Sequence, residues 1–283
     1  SYFLNMAWKI RDRTFNWGEK TYLMGILNVT PDSFSDGGQF DSVETALIQA
    51  RDMIAHGVDI IDIGGESTRP HAESISVEQE LQRVIPVIEQ LRQITQRPIS
   101  IDTTKAEVAR QAIASGADLV NDISGGTFDP QMFPTVAQLN VPIILMHIRG
   151  NPQTMQSLTD YQDVVSEVAE FLTIQVNKAI ASGISRSKII IDPGIGFAKQ
   201  AEQSLELLQR LNELKALSLP MLVGVSRKSF LRPILHQNDP KERIWGTAAA
   251  CYGAIVRGAD ILRVHDVRQM YDVCRVADAI ERK

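Results

Sequence analysis

Short apolar runs alternate with helical patterns about eight times along the chain, and this alternation constrains the fold more than any other feature. The runs are Tyr22–Leu27, Asp59–Ile63, Ile99–Ile101, Leu119–Val120, Pro142–Met146, Ile189–Ile191, Met221–Val225 and Ile261–Val264. Most are nearly continuous in apolar character, which suits parallel strands covered on both faces. The helical patterns fall at Val43–Ala55, Val77–Ile94, Lys105–Ala114, Pro130–Leu139, Tyr161–Ala181, Glu202–Leu217, Glu242–Val256 and Val267–Arg282. Such repetition predicts an α/β fold, a (β/α)8 TIM barrel. A doubly wound sheet is the competing architecture. The chain has 283 residues, and a barrel of this kind takes about 250, so one domain over residues 1–283 is expected.

A weak internal repeat supports the barrel. Gly57-Val58-Asp59-Ile60-Ile61-Asp62, Gly116-Ala117-Asp118-Leu119-Val120-Asn121 and Gly258-Ala259-Asp260-Ile261-Leu262-Arg263 share one design. A glycine ends a helix in left-handed geometry, an aspartate starts the return, and a strand follows. Ahead of the first barrel strand, Trp8–Thr14 and Phe15–Leu23 predict a β-hairpin turning at Asn16-Trp17-Gly18 and closing the barrel floor. The chain opens on Ser1, and Met6 could be a native start, so Ser1–Asn5 carry no functional argument.

Composition removes several classes of function. The net charge is −5 and no stretch is strongly basic, so nucleic acid is a poor partner. An anionic substrate must then be held by a local cluster of cations. No apolar run reaches the roughly 20 residues of a membrane span, and the start lacks the apolar core of a signal peptide. Cys251 and Cys274 are the only cysteines and show neither metal-ligand nor redox spacing. They read as buried, reduced thiols of a cytoplasmic protein.

The functional weight lies at the strand ends. They present Asn28, Asp62, Asp102, Asn121 with Asp122, His147, Asp192, Arg227 with Lys228, and Arg263 with His265. In a closed barrel these ends converge on one mouth, where active sites of the fold are built. Asp102 could equally be a helix N-cap before Thr103-Thr104, and Arg69, in Gly64-Gly65-Glu66-Ser67-Thr68-Arg69-Pro70, could be an ordinary surface arginine. The polar loop Pro31–Gly38 reads either as a lid over substrate or as a solvated connection. Arg227, Lys228, Arg263 and His265 follow the last two strands, the usual phosphate-binding quarter. Asn28 lies on the strand that closes against them, where its amide oxygen could hold a Mg2+ bound to a diphosphate.

The segments Met24–Gly38 and Asp59–Pro70 resemble the two signature segments of bacterial dihydropteroate synthases. The resemblance continues through Ile101-Asp102, Asn121-Asp122, Asp192-Pro193-Gly194, Gly224-x-Ser226-Arg227-Lys228-Ser229 and Arg263-Val264-His265. It covers the chain from the first barrel strand onward. It implies a transferase of folate biosynthesis that joins a pterin diphosphate to 4-aminobenzoate and releases pyrophosphate. It implies that Asp102, Asn121, Asp192 and Lys228 hold the pterin, with Met146 packing on its face or serving only as core. Asn28, Arg263 and His265 would form the diphosphate and Mg2+ pocket. Thr68, Arg69, Pro70, Phe197, Lys228 and Ser229 would line the aminobenzoate side, with Phe34 and Asp36 closing from the first loop.

The same resemblance implies a homodimer through the C-terminal helices. It also implies ordinary sulfonamide sensitivity, because the Pro70 loop carries no extra residues. Departures are few: His71 stands where a glycine is usual, and Ile195 and Ala198 replace commoner residues. Two rival readings keep the fold. One is a pterin-binding methyltransferase domain that works with a corrinoid protein. The other is a catalytically silent pterin-binding barrel.

Overall fold

Two antiparallel strands, β1 (Trp8–Ile10) and β2 (Arg13–Phe15), lead into the barrel. The computed structural model describes residues 7–30 and 39–282. Trp8 pairs with Phe15 and Ile10 with Arg13, so the hairpin turns at Arg11-Asp12 and not at Asn16-Trp17-Gly18. Arg11 accepts a left-handed φ of 52°, and its guanidinium is anchored 2.6 Å from Asp118 on the barrel. That tertiary anchor, absent from local turn statistics, displaces the turn. Gly18, at φ 92°, makes the next bend. The floor role is borne out: Phe15 and Trp17 pack with Tyr22, Met24, Ile60, Leu119, Ile144, Ile190, Leu222 and Ile261 at the bottom of the barrel.

The barrel strands are β3 (Tyr22–Asn28), β4 (Ile60–Gly64), β5 (Ile99–Asp102), β6 (Leu119–Asp122), β7 (Ile143–Met146), β8 (Ile189–Asp192), β9 (Leu222–Val223) and β10 (Ile261–Val264). They pair in parallel in the order β8-β7-β6-β5-β4-β3-β10-β9. A lone parallel bridge between Ile191 and Met221 joins the two ends of that sheet. Around it lie α1 (Gln39–Ala55), α2 (Val77–Ile94), α3 (Ala106–Ser115), α4 (Met132–Leu139), α5 (Val164–Ala181) and α6 (Ala201–Gln209). The short α7 (Arg232–Leu235), then α8 (Ile244–Val256) and α9 (Val267–Glu281) complete the ring. Strand residues such as Leu27, Ile63 and Ile101 are fully buried between sheet and helices, each stabilising the fold by about 1.5–3 kcal/mol.

Among the expected elements that are shorter than their sequence patterns, two have a visible cause. The pattern Glu202–Leu217 is α6 followed by a 3-10 segment, Leu211–Leu217. Its tighter winding sets Leu211 and Leu214 one above the other, and both are buried. The run Met221–Val225 keeps only Leu222–Val223 in the ladder. Beyond it, the chain leaves its neighbour for loop contacts, with Arg227 N–H donating to Thr247 Oγ1 at 3.0 Å.

The repeated glycine–aspartate units act as staples. Gly57, Gly116 and Gly258 have φ of 93°, 124° and 103°, as the helix-ending reading requires. Each aspartate then accepts the backbone N–H at the foot of an adjacent strand. Asp59 takes that of Leu23 at 2.8 Å, Asp118 that of Ile99 at 2.9 Å, and Asp260 that of Met221 at 2.9 Å. Hydrogen bonds to a charged acceptor contribute about 1.5–3 kcal/mol each. The staples align the strand feet, and thereby the strand ends that carry the polar residues.

Candidate active site

Arg263, the third residue of β10, crosses the mouth toward β4 and β5. Its Nε lies 2.8 Å from Asp62 Oδ2 and its Nη2 lies 3.3 Å from Asp102 Oδ2. Asn121 Nδ2 donates to the same Asp62 oxygen at 3.1 Å. Gly64 makes this possible: a Cβ there would lie 3.1 Å from Asp102 Oδ2. Oδ1 of Asp62 and Oδ1 of Asn121 are buried and accept no hydrogen bond among the described residues. Burial, and then the charge of Asp62, hold the Asp102 carboxyl well above the usual carboxylate range, against the pull of Arg263. Burial likewise raises Asp192, opposed by Lys228.

The loop after β8 forms the next wall. Lys199 is buried and donates to the carbonyls of Gly194 at 2.9 Å and Phe197 at 2.8 Å, while lying 2.9 Å from His147 Nδ1. Burial, then the nearby charges of Lys199 and Arg149, push His147 down to about 2. The ring is therefore neutral, with Nδ1 free to accept. Gly194 has φ 74°, and a Cβ there would sit 2.1 Å from the His147 carbonyl oxygen, so only glycine fits. Lys228 donates to the Ile195 carbonyl and lies 4.8 Å from the centre of the Phe197 ring. Burial lowers its pKa to about 8, although Asp192 opposes the shift. Met146 packs with Ile123, Ile148, Met155 and Ala198 against Phe197, an apolar ledge beside the carboxylates.

The loop after β9 meets the loop after β10 through two contacts. Ser226 Oγ lies 2.8 Å from His265 Nδ1, and the Arg227 and Asp266 side chains pair at 2.7 Å. Burial first, then Arg227 and Arg263, lower His265 to about 3. Arg243, itself buried, donates to the carbonyl of Arg227 at 2.8 Å and braces this corner from outside.

The structure thus brings Asp102, Asn121, Asp192, Lys228, Arg263, Met146 and Phe197 around one mouth, and sets His265 at its edge. Arg263, expected in the diphosphate pocket, is engaged by two carboxylates. Asn28 is half-buried at the end of β3. Thr68 is half-buried, whereas Arg69, Pro70 and Ser229 are exposed. Arg69 makes no side-chain hydrogen bond among the described residues. Its loop is tied down behind it, where Lys105 bridges Glu66 at 3.0 Å and buried Glu80 at 2.7 Å. Phe34 and Asp36, with the rest of the first loop, lie outside the described residues.

Sequence reasoning passed over three contributors. Asp62 ends a strand like its neighbours, and its alignment with Asn121 and Arg263 in the internal repeat is the signal that marks it. Ser226 and Lys199 act on neighbouring loop groups, and no spacing rule exposes them. Among the described residues, no three acidic, histidine or cysteine side chains gather into a metal cage. The wall of carboxylates and amide oxygen accepts a donor-rich heterocycle, and the neighbouring cations suit an anionic group.

A family of pterin binding enzymes matches residues 24–265. A dihydropteroate synthase of Synechocystis sp. is 61% identical over 268 residues, covering 95% of this chain and 93% of that protein. The structure of Xanthomonas albilineans dihydropteroate synthase with 4-aminobenzoic acid superposes with a TM-score of 0.91 at 41% identity, covering 98% of this chain and 99% of that one. The same enzyme in complex with 7,8-dihydropteroate gives a TM-score of 0.87 at 40% identity, covering 96% and 97%. Fold, mouth and relatives agree, and the chain belongs to the dihydropteroate synthases within the pterin binding enzyme family.

Proposed function

We propose that the chain condenses (7,8-dihydropterin-6-yl)methyl diphosphate with 4-aminobenzoate, giving 7,8-dihydropteroate and pyrophosphate for folate biosynthesis. The observation that carries this reading is the pair of buried acceptors, Asp62 Oδ1 and Asn121 Oδ1, set beside Asp102 and Arg263. Buried polar atoms without partners are costly, and the amino and ring N–H groups of a pterin would satisfy them. Asp102, Asn121, Asp192 and Lys228 hold the pterin, and Met146 packs on its face. Phe197, Thr68, Arg69, Pro70 and Ser229 line the aminobenzoate side, with Phe34 and Asp36 contributing from the first loop.

The reaction is substitution at the exocyclic methylene. The bond from that carbon to the diphosphate oxygen breaks, and its electron pair leaves with pyrophosphate. The aminobenzoate nitrogen forms the new bond and gives up a proton. Arg263 and His265 offset charge on the leaving group. The weakly basic amine needs no strong base, so positioning by Thr68 and Ser229 supplies much of the remaining rate. Asn28 offers one amide oxygen that would help hold a Mg2+ bound to the diphosphate. That ion would neutralise leaving-group charge.

Exposed Trp245, Val256, Val276 and Ile280 on α8 and α9 support a homodimer through these helices. Two buried free thiols support a cytoplasmic location, and no helix among the described residues is long and apolar enough to cross a membrane. Sulfonamides, as aminobenzoate mimics, should inhibit; undiminished turnover at a saturating dose would overturn that expectation. The decisive assay follows pyrophosphate from the pterin diphosphate with Mg2+, with and without 4-aminobenzoate. Release that requires aminobenzoate supports the reading. Tight pterin binding without release would favour the methyltransferase or the silent barrel.

A further inference from the structure

Ser226 stands where the loop after β9 touches the residue after β10, and it makes two contacts with a single partner. The backbone N–H of His265 donates to Ser226 Oγ at 3.1 Å, and the same oxygen lies 2.8 Å from His265 Nδ1. Ser226 is 4% exposed. Its hydroxyl has one hydrogen to give, and His265 Nδ1 is the one acceptor within reach among the described residues. If Nδ1 carried the proton instead, the buried hydroxyl hydrogen would be left without a partner, an arrangement that buried groups avoid. The hydroxyl therefore donates and Nδ1 accepts.

We infer that Ser226 is a positioning residue that fixes His265 in its Nε2-protonated tautomer and so presents a neutral N–H donor at the mouth. The inference rests on the proposed role of His265 beside the diphosphate. A neutral imidazole can face an anion with either nitrogen, and only the protonated one attracts it. With Nδ1 occupied by Ser226, Nε2 must carry the hydrogen and makes no hydrogen bond among the described residues. The low pKa of the ring agrees with it, since neither proton equilibrium nor a carboxylate partner is needed to keep the ring a donor. The neighbouring Arg227–Asp266 pair, at 2.7 Å, holds the two loops in the register that this contact needs.

The test has two readouts. In ligand-free protein at pH 8, two-bond 1H–15N correlations of the histidine rings should show His265 with Nδ1 unprotonated, the signal being identified by its loss in His265→Gln. Ser226→Ala should move His265 to a mixture of tautomers, and Ser226→Thr should restore the wild-type pattern. Kinetically, Ser226→Ala should lower kcat about tenfold and leave the aminobenzoate KM within twofold, with Ser226→Thr near wild type. An Nδ1-protonated ring in the wild type, or an unchanged tautomer in Ser226→Ala, would overturn the inference. If the tautomer shifts as expected but His265→Gln still binds pyrophosphate as tightly as wild type, the diphosphate role of His265 fails and the action of Ser226 on the ring stands.

Discussion

Asp62 Oδ2 receives both Arg263 Nε, at 2.8 Å, and Asn121 Nδ2, at 3.1 Å, so one buried carboxylate oxygen sets the position of two other mouth residues. Asp62→Asn keeps the volume but removes the charge that holds Arg263. We expect kcat/KM for the pterin diphosphate to fall by about 10- to 100-fold, a loss of roughly 1.4–2.7 kcal/mol of transition-state stabilisation. The aminobenzoate KM should change little. Steady-state kinetics with each substrate varied decides this, and wild-type values for the pterin diphosphate would remove Asp62 from the account.

Lys228 should set a basic limb in the pH–rate profile. Its pKa is lowered to about 8, chiefly by burial, with Arg263 adding to the shift and Asp192 resisting it. Below about 8 the amine is charged, and above it the cation proposed to hold the pterin is lost. Thus kcat/KM for the pterin diphosphate, which reports the free enzyme, should fall as pH rises past 8. In Lys228→Arg the charge persists and the limb should disappear. A limb at the same pH in that variant would assign it to another group.

Lys199 serves three acceptors: Gly194 O, Phe197 O and His147 Nδ1. Lys199→Met leaves Phe197 O and His147 Nδ1 without this donor, at a cost of about 2–4 kcal/mol, whereas Gly194 O keeps the Phe197 N–H at 3.0 Å. Calorimetry should record a melting temperature lower by roughly 3–7 °C. Because Phe197 moves with its carbonyl, the aminobenzoate KM should rise more than the pterin diphosphate KM. Equal rises in both would mean that the clamp does not act through Phe197.

His147 gives a pH dependence of stability with a definite sign. In the unfolded chain it takes up a proton near 6.5, whereas in the folded protein it does so only at about 2. Between these values the unfolded state binds the extra proton. The contribution of His147 is therefore complete above pH 6.5 and is lost as pH falls below it, by about 2 kcal/mol at pH 5. The raised carboxyls Asp102, Asp122 and Asp192 act in the opposite sense, so the effect is read as a difference. Denaturant titrations at pH 7 and pH 5 should give a change in unfolding free energy that differs between wild type and His147→Gln by about that amount. Parallel pH dependences would show that another group carries the acid sensitivity.

His71 has φ 66°, the left-handed region that favours glycine, which explains why its presence stood out in the sequence. Its side chain is exposed, so little packing is lost on removal. His71→Gly should stabilise the fold by about 0.5–1 kcal/mol, measured by denaturant unfolding. A loss of stability would mean that the imidazole makes a contact worth more than the backbone strain.

The barrel was legible because burial on both faces writes parallel strands as continuous apolar runs, and because glycine and aspartate mark each return. The mouth was legible wherever a polar residue ended such a run, as at Asp102, Asn121 and Asp192. The hairpin turn was not, since Arg11 is held by Asp118, a contact across 107 residues that local turn chemistry does not encode. Nor were the partners of Arg263, because spacing gives the side of a strand on which a cation lies but not which carboxylate reaches it. Ser226 and Lys199 stayed hidden for a related reason. Each acts on a neighbour from another loop, and only three-dimensional proximity reveals the pairing.

The wall between β8 and β9 is joined by one backbone bridge, Ile191 to Met221, where every other seam has a ladder. Lys228 rises from one side of that joint and grips the Ile195 carbonyl on the other. A ligand drawing on the same ammonium group would meet a side chain already serving as a cross-tie. The thinnest seam of the barrel wall is therefore also the one spanned by a cation of the mouth.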